Sequence, residues 1–282
     1  MIAVVAVVAV FFLLNQEKNT DMWDILPYID ETPASDFIYE ITDEYGGGVM
    51  IMGYKGKSDG VRIPETLNGK PVVYVDVSES ALKELILPDT VVELKSNNNS
   101  LEYINIPLEL EGAYLAMCPA LKAVYISNGV KKIDDGAFYG CVDLTSVTIP
   151  GSVTKIGSKA FENCISLTSV IISDGVTQIC ETAFYGCYSL SSITIPNSVT
   201  EIGGGAFCIC TSLTSITIPD SVTKIGRSAF DSSGLTSITI PNSVTEIGES
   251  AFNNCPNVTI KCPSGSYAEQ YAKENNIPYT LI

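Results

Sequence analysis

Cysteine is the reactive residue that recurs most regularly in this chain. Cys118, Cys141, Cys164, Cys187 and Cys210 stand 23 residues apart, and Cys255 follows Phe252 by three residues, as Cys141 follows Phe138. Thiols at such spacing could form disulfides, bind metal or act as nucleophiles. Zinc needs a converging set of four ligands. Cys208 and Cys210 make one Cys-x-Cys pair, but no second pair and no histidine completes it. The missing histidine also removes Ser-His-Asp and Cys-His catalysis as usually built. No metal and no cofactor are expected. If each period is one stacked coil, neighbouring cysteines lie about 4.8 Å apart along the stack, within disulfide range. A continuous ladder offers no natural pairing, and an odd total of nine fits full oxidation poorly. The cysteines therefore read as small buried thiols filling one column. Cys180 replaces the glycine found at its position in other periods and is expected to be the most exposed thiol.

The carboxylates give no catalytic set. Asp134-Asp135 and Glu109-x-Glu111 read as solvated turns with nothing converging on them in sequence. Gly46-Gly47-Gly48 is followed by no lysine, so it is not a phosphate loop.

The elements that hold these residues form an internal repeat. Ala-Phe recurs at Ala137, Ala160, Ala183, Ala206, Ala229 and Ala251, in four steps of 23 residues and one of 22. A sustained period of this length means stacked coils with one continuous core. In the period from Leu144 to Ser166, Val147 and Ile149 alternate with Ser146 and Thr148. That alternation predicts a short strand with Val147 and Ile149 facing inward. Pro150 ends it, since proline cannot donate to a ladder. Val153 and Ile156 form a second inward pair. Gly157 is expected to turn the chain at positive φ. Ala160, Phe161 and Cys164 have helical spacing and predict one turn of helix or a 3-10 segment. Stacking then makes an apolar phenylalanine spine on the outer side of the coil.

Eight or nine such coils are expected. The organisation read from the chain is a signal or signal-anchor at 1–16, an acidic linker at 17–36, an N-terminal cap with degenerate repeats at 37–81, repeats at 82–257 and a C-terminal cap at 258–282. The thirteen apolar residues Ile2 to Leu14 are too few to span a bilayer and match the apolar part of an export signal. A tether to the membrane through residues 1–14 and an extracellular or cell-surface location follow from that reading. The stretch 17–44 carries nine acids against one base, Lys18, and reads as a solvated stalk. Ser266 to Asn276 predicts a short amphipathic helix with Ser266 at its N-cap.

The chain carries a formal net charge of −16. Such a chain repels phosphate, which excludes nucleic acid and disfavours anionic lipid as partners.

The unit Leu235-Thr-Ser-Ile-Thr-Ile-Pro-Asn-Ser-Val-Thr-Glu-Ile-Gly-Glu-Ser-Ala-Phe-Asn-Asn-Cys255, nearly repeated at 190–210, resembles the BspA-like leucine-rich repeats. So does the ending Gly265-Ser-Tyr-Ala-Glu-Gln-Tyr-Ala272. The likeness covers about residues 61–282. It implies a leucine-rich-repeat horseshoe, mostly β with short helical or 3-10 segments and capped at both ends. It also implies a surface-exposed or secreted bacterial protein with no catalysis, holding a host matrix or cell-surface protein; the Ser and Thr array of the strand face adds a glycan as the alternative partner. The shared motif is all core and turn, so it transfers no ligand and no site residue.

Contact residues must therefore be sought on the concave strand face. Its outward positions are mostly Ser and Thr, as at Ser146 and Thr148. Ile86, Tyr103, Asn105, Tyr125 and Ile171 depart from that pattern. Aromatic residues on such a face resemble interface anchors. The alternatives are that these residues lie buried under the N-terminal cap, and that the whole repeat is a spacer or envelope scaffold without a specific ligand.

Overall fold

The computed structural model describes residues 29–96, 99–112 and 115–282. The expected signal or signal-anchor at 1–16 and most of the expected acidic linker lie outside the described residues.

The chain winds into a β-solenoid. In each coil the Val-x-Ile strand buries its apolar residues and turns its Ser and Thr residues outward, as the period-2 pattern requires. Val147 and Ile149 are 3% and 0% exposed. Equivalent strands pair in parallel, coil on coil, with Ser146 opposite Ser169 and Ser169 opposite Ser192. The front row holds seven strands, from Gly60–Arg62 to Ser192–Thr194, followed by four more from Ser215–Thr217 to Tyr279–Leu281. That is longer than eight or nine coils. The extra strands, Gly60–Arg62 and Tyr279–Leu281, lack the leucine motif by which coils are counted in sequence. Parallel pairing asks only for a strand in register.

A second row of six two-residue strands runs along another side of the coil, from Lys132–Ile133 to Glu246–Ile247. Behind both rows stand the phenylalanines. Phe138, Phe161, Phe184, Phe207, Phe230 and Phe252 stack with ring centroids 5.1–5.5 Å apart and nearly parallel planes. The core is one continuous cluster from Phe37 to Ala272.

Polar ladders lock the stack. The Thr168 hydroxyl donates to the Thr145 carbonyl one coil before it (3.0 Å), and Ser191 donates to Thr168 (3.3 Å). A second ladder runs from Thr154 through Thr177, Thr200 and Thr223 to Thr245, with distances of 3.0–3.4 Å. Threonine at these positions is thus a coil-to-coil bond as well as a strand former.

Two local expectations are corrected. Gly157 is not at positive φ. It is required because a Cβ there would lie 2.7 Å from the backbone of Asp134 and Asp135 in the preceding coil. The left-handed positions are elsewhere, at Gly136, Lys159, Thr182, Gly205, Ser228 and Ser250, and again at Met117, Gly140, Asn163, Gly186, Ile209, Ser232 and Asn254. These two columns explain the second correction. The Ala-Phe-x-x-Cys segment is a chain of tight turns, such as Ala160 N–H to Gly157 and Cys164 N–H to Phe161, and not a helical turn. A left-handed residue before Ala160 and another after Phe161 prevent helix from propagating.

At the front, Phe37–Thr42 pairs antiparallel with Gly48–Tyr54, which lies parallel to Lys70–Asp76. At the rear, the helix Tyr267–Glu274 starts at Ser266, whose hydroxyl accepts from Glu269 N–H. Its Ala268, Tyr271 and Ala272 close the core.

Candidate interaction face

The cysteine column has a structural task. All nine cysteines are free thiols, and eight of them are buried. The Cys141 thiol donates to the Leu115 carbonyl (3.1 Å), Cys164 to Phe138 (3.2 Å), Cys187 to Phe161 (3.2 Å) and Cys210 to Phe184 (3.2 Å). The carbonyls of Phe138, Phe161, Phe184 and Phe230 thereby each accept a thiol from the next coil. Burial pushes the Cys164 and Cys210 thiols up to about 12 and that of Cys187 well above its ordinary value. Such thiols are neither nucleophiles nor metal ligands at neutral pH. Cys180 is the half-exposed exception. Among the described residues no group of three Cys, Asp or Glu side chains could hold a metal ion.

The paired carboxylates are turn partners. Asp134 accepts from Gly112 N–H (2.6 Å) and pairs with Lys132 (3.0 Å), while Asp135 accepts from Ser158 N–H (2.7 Å). Glu109 and Glu111 are exposed.

The outward face of the front row is where recognition can occur. One column runs Glu84, Tyr103, Ala123, Ser146, Ser169, Ser192. The neighbouring column contains Asn105 opposite Tyr125, then Thr148 opposite Ile171 and Ile171 opposite Thr194. Tyr103, Tyr125, Thr148 and Ile171 are half-buried and Ser146 is exposed. Ile86 and Asn105 are 4% and 2% exposed and offer almost no surface. Asn105 has a different task. Its side-chain oxygen accepts from Leu87 N–H (2.7 Å) and its amide donates to Leu87 C=O (2.8 Å). It replaces a ladder bond at the end of Glu84–Ile86, where Pro88 follows. A polar residue in an outward-reading slot gave no signal of this in sequence.

Acidic side chains border Tyr103. Glu84 is paired in register with Tyr103, and burial, Asp59 and Glu102 together raise its pKa, with Lys83 opposing them. Lys122 binds Glu102 at 2.6 Å and Lys83 binds Asp59 at 3.2 Å.

Farther along the same face lies an open depression of about 870 Å³ over the strands Ser169–Ile172, Ser192–Thr194 and Ser215–Thr217. Of the residues singled out in sequence, Ile171 lines it.

The model of the BspA type leucine-rich repeat region matches this sequence in six copies, over residues 77–167 and 131–259. The chain belongs to the BspA-type leucine-rich repeat family. Among solved structures, this BspA-type chain is similar to a leucine-rich repeat protein of Bacteroides ovatus, with 28% identity over 90% of this chain and 76% of that one and a TM-score of 0.58. A T. pallidum leucine-rich repeat protein matches at 25% identity, 89% and 98% coverage and a TM-score of 0.46. A leucine rich cell surface protein of Faecalibacterium prausnitzii matches at 22% identity, 88% and 97% coverage and a TM-score of 0.35. No curated protein matches the chain. Among the described residues no helix is long and apolar enough to cross a membrane.

Proposed function

We propose that this BspA-type chain is a non-catalytic binding module, displayed on a cell surface or secreted, that holds a protein partner in adhesion through its front strand face. The observation that carries this reading is the pair of half-exposed tyrosines, Tyr103 and Tyr125, on a face built mostly of Ser and Thr. Tyrosine supplies rigid contact area at little entropic cost, which is why it anchors interfaces. Lys122 and Lys83 already pair with Glu102 and Asp59, so Glu84 beside Tyr103 is the acid that favours a partner bringing lysine or arginine.

The test is binding of the full chain to an array of matrix proteins and glycans, beside a Tyr103→Ser, Tyr125→Ser variant. Saturable binding lost in the variant supports the reading. Binding retained by the variant keeps the module and moves the site. A folded chain that binds nothing supports the second reading, a spacer or envelope scaffold, which the uniform hydroxyl ladders favour.

A further inference from the structure

The front row of strands is interrupted once in its middle. Ser192–Thr194 ends the seven-stranded sheet and Ser215–Thr217 begins the four-stranded one, with no ladder between them. The bonds found at other steps are missing here. Ser191 N–H donates to Thr168 (3.2 Å) and Thr236 N–H to Thr214 (2.8 Å), while among the described residues Thr214 N–H makes no such bond to Ser191. Ile218 N–H donates to Thr239 (3.0 Å) and Ile240 N–H to Lys261 (2.9 Å), while Ile195 N–H makes none to Thr217. The hydroxyl ladder skips the same step, passing from Ser191–Thr168 to Thr236–Thr214. The second row is unbroken through these coils, with Glu201 paired to Lys224 and the Thr223 hydroxyl bonded to Thr200. The stack is therefore parted on its front face alone. Beneath the parting Ile193 is 9% exposed, against 4% for Val170 and 1% for Ile238 in paired strands.

The open depression lies over this step, and Ser191, Ile195 and Thr217 are among its walls. Backbone groups left without a partner in a concave site need one from water or ligand. The exposed hydroxyls of Ser192, Thr194, Ser215 and Thr217 surround them, with Asn197 and Asp174 at one end. No lysine or arginine lines the site, so an anion finds no counter-charge. A peptide strand would need two ladder spacings, about 9.5 Å, yet Cα atoms of the two strands stay within 8 Å. A sugar hydroxyl both donates and accepts, so it can bridge an N–H on one edge and a C=O on the other.

We propose that the parted step between Ser192–Thr194 and Ser215–Thr217 is a binding site for a neutral oligosaccharide. The site shares the strand face with the proposed protein contact but lies three coils beyond Tyr125, and the two are tested by different variants.

The probes are neutral hexasaccharides (cello-, malto- and manno-oligosaccharides), a hyaluronan hexasaccharide as an anion, and an uncharged hydrophilic decapeptide, each titrated into the full chain by calorimetry. A neutral hexasaccharide is expected to bind with a Kd between about 10 μM and 1 mM. The Thr194→Val, Thr217→Val variant keeps strand propensity and removes two hydroxyls; it is expected to bind at least about tenfold more weakly. Tyr103→Ser, Tyr125→Ser should bind the sugar unchanged. The amides of Thr214 and Ile195 should exchange faster than those of Ile218 and Ile240 in the free chain and slow when sugar is bound. The proposal fails if no neutral sugar binds up to about 10 mM, if the anion or the peptide binds more tightly, or if the Thr-to-Val variant binds like the parent. It also fails if Thr214 and Ile195 are protected as well as Ile218 and Ile240 in the free chain.

Discussion

The ring of Tyr271 stands edge-on to Phe252, with centroids 6.0 Å apart and planes at 73°. The five contacts between successive phenylalanines from Phe138 to Phe252 are parallel stacks, so this turn of geometry ends the column. The Tyr271 hydroxyl accepts from Ala251 N–H at 3.2 Å. Ala251 N–H also makes the turn bond to Gly248 (3.3 Å) that its counterparts make in the interior coils, as Ala229 does to Gly226; there the next phenylalanine covers the ring face. One helical side chain therefore replaces a whole following coil.

Tyr271→Phe should keep the edge contact and the Ala251–Gly248 turn bond and lose only the hydroxyl's own bonds, costing about 0.5–1.5 kcal/mol. Tyr271→Ala should also uncover Phe252 and cost about 3–5 kcal/mol. Urea unfolding of both variants checks the order. Equal losses would show that the hydroxyl, and not the ring, makes the cap.

Phe184 has a phenylalanine on each face, 5.3 and 5.5 Å away, and is fully buried. Phe184→Ala should cost about 3–5 kcal/mol and Phe184→Leu distinctly less. A smaller loss at Phe184 than at the end residue Phe252 would contradict a continuous spine.

Asn105 holds both backbone groups of Leu87. Asn105→Leu fits the apolar surroundings but leaves a buried N–H and C=O without partners. The expected loss is about 2–4 kcal/mol, read as a lower urea midpoint with an unchanged slope. A neutral outcome would mean that water or a shifted backbone takes over.

The buried thiols make stability depend on alkaline pH. Folding raises the Cys164 and Cys210 pKa from 9.0 to about 12, through burial. The protonated thiol is thus favoured in the folded chain, and the unfolded chain loses its proton first. This stabilisation is complete below about pH 9 and fades as pH rises toward 12. Each such thiol should lower the unfolding free energy by about 1.4 kcal/mol per pH unit in that window. Urea unfolding from pH 7 to 10.5 checks it, and a Cys164→Ala, Cys210→Ala variant should show a shallower fall. In the folded chain at pH 8, iodoacetamide should modify the half-exposed Cys180 first.

Ile209 occupies a left-handed position, at φ 59°, that Asn163 and Asn254 occupy in other coils. A β-branched residue is strained there and asparagine is not. Ile209→Asn should raise stability by about 1 kcal/mol, seen as a higher thermal midpoint. A lower midpoint would show that the side-chain packing of Ile209 outweighs its backbone strain.

The sequence by itself determined the solenoid, the inward and outward columns, the cysteine ladder and the closing helix. A 23-residue period forces like residues over like, so identity at a position decides what packs there. Val147 and Ile149 alternate with hydroxyl residues, and the strand's period of two leaves no other way to bury them. Gly157 was visible as a special residue, but its reason was not. The Cβ it excludes would strike Asp134 and Asp135, which belong to another coil. Tyr103 and Asn105 both depart from the pattern by type, yet one keeps a half-exposed ring and the other is buried in backbone bonds. The parting after Ser192–Thr194 left no trace at all, since Leu190-Ser-Ser-Ile-Thr-Ile and Leu213-Thr-Ser-Ile-Thr-Ile are nearly the same words. Within a coil, residue type and spacing fix the fold. Between coils, the outcome depends on distances of a few ångströms set by the whole stack, and only the tertiary structure decides those.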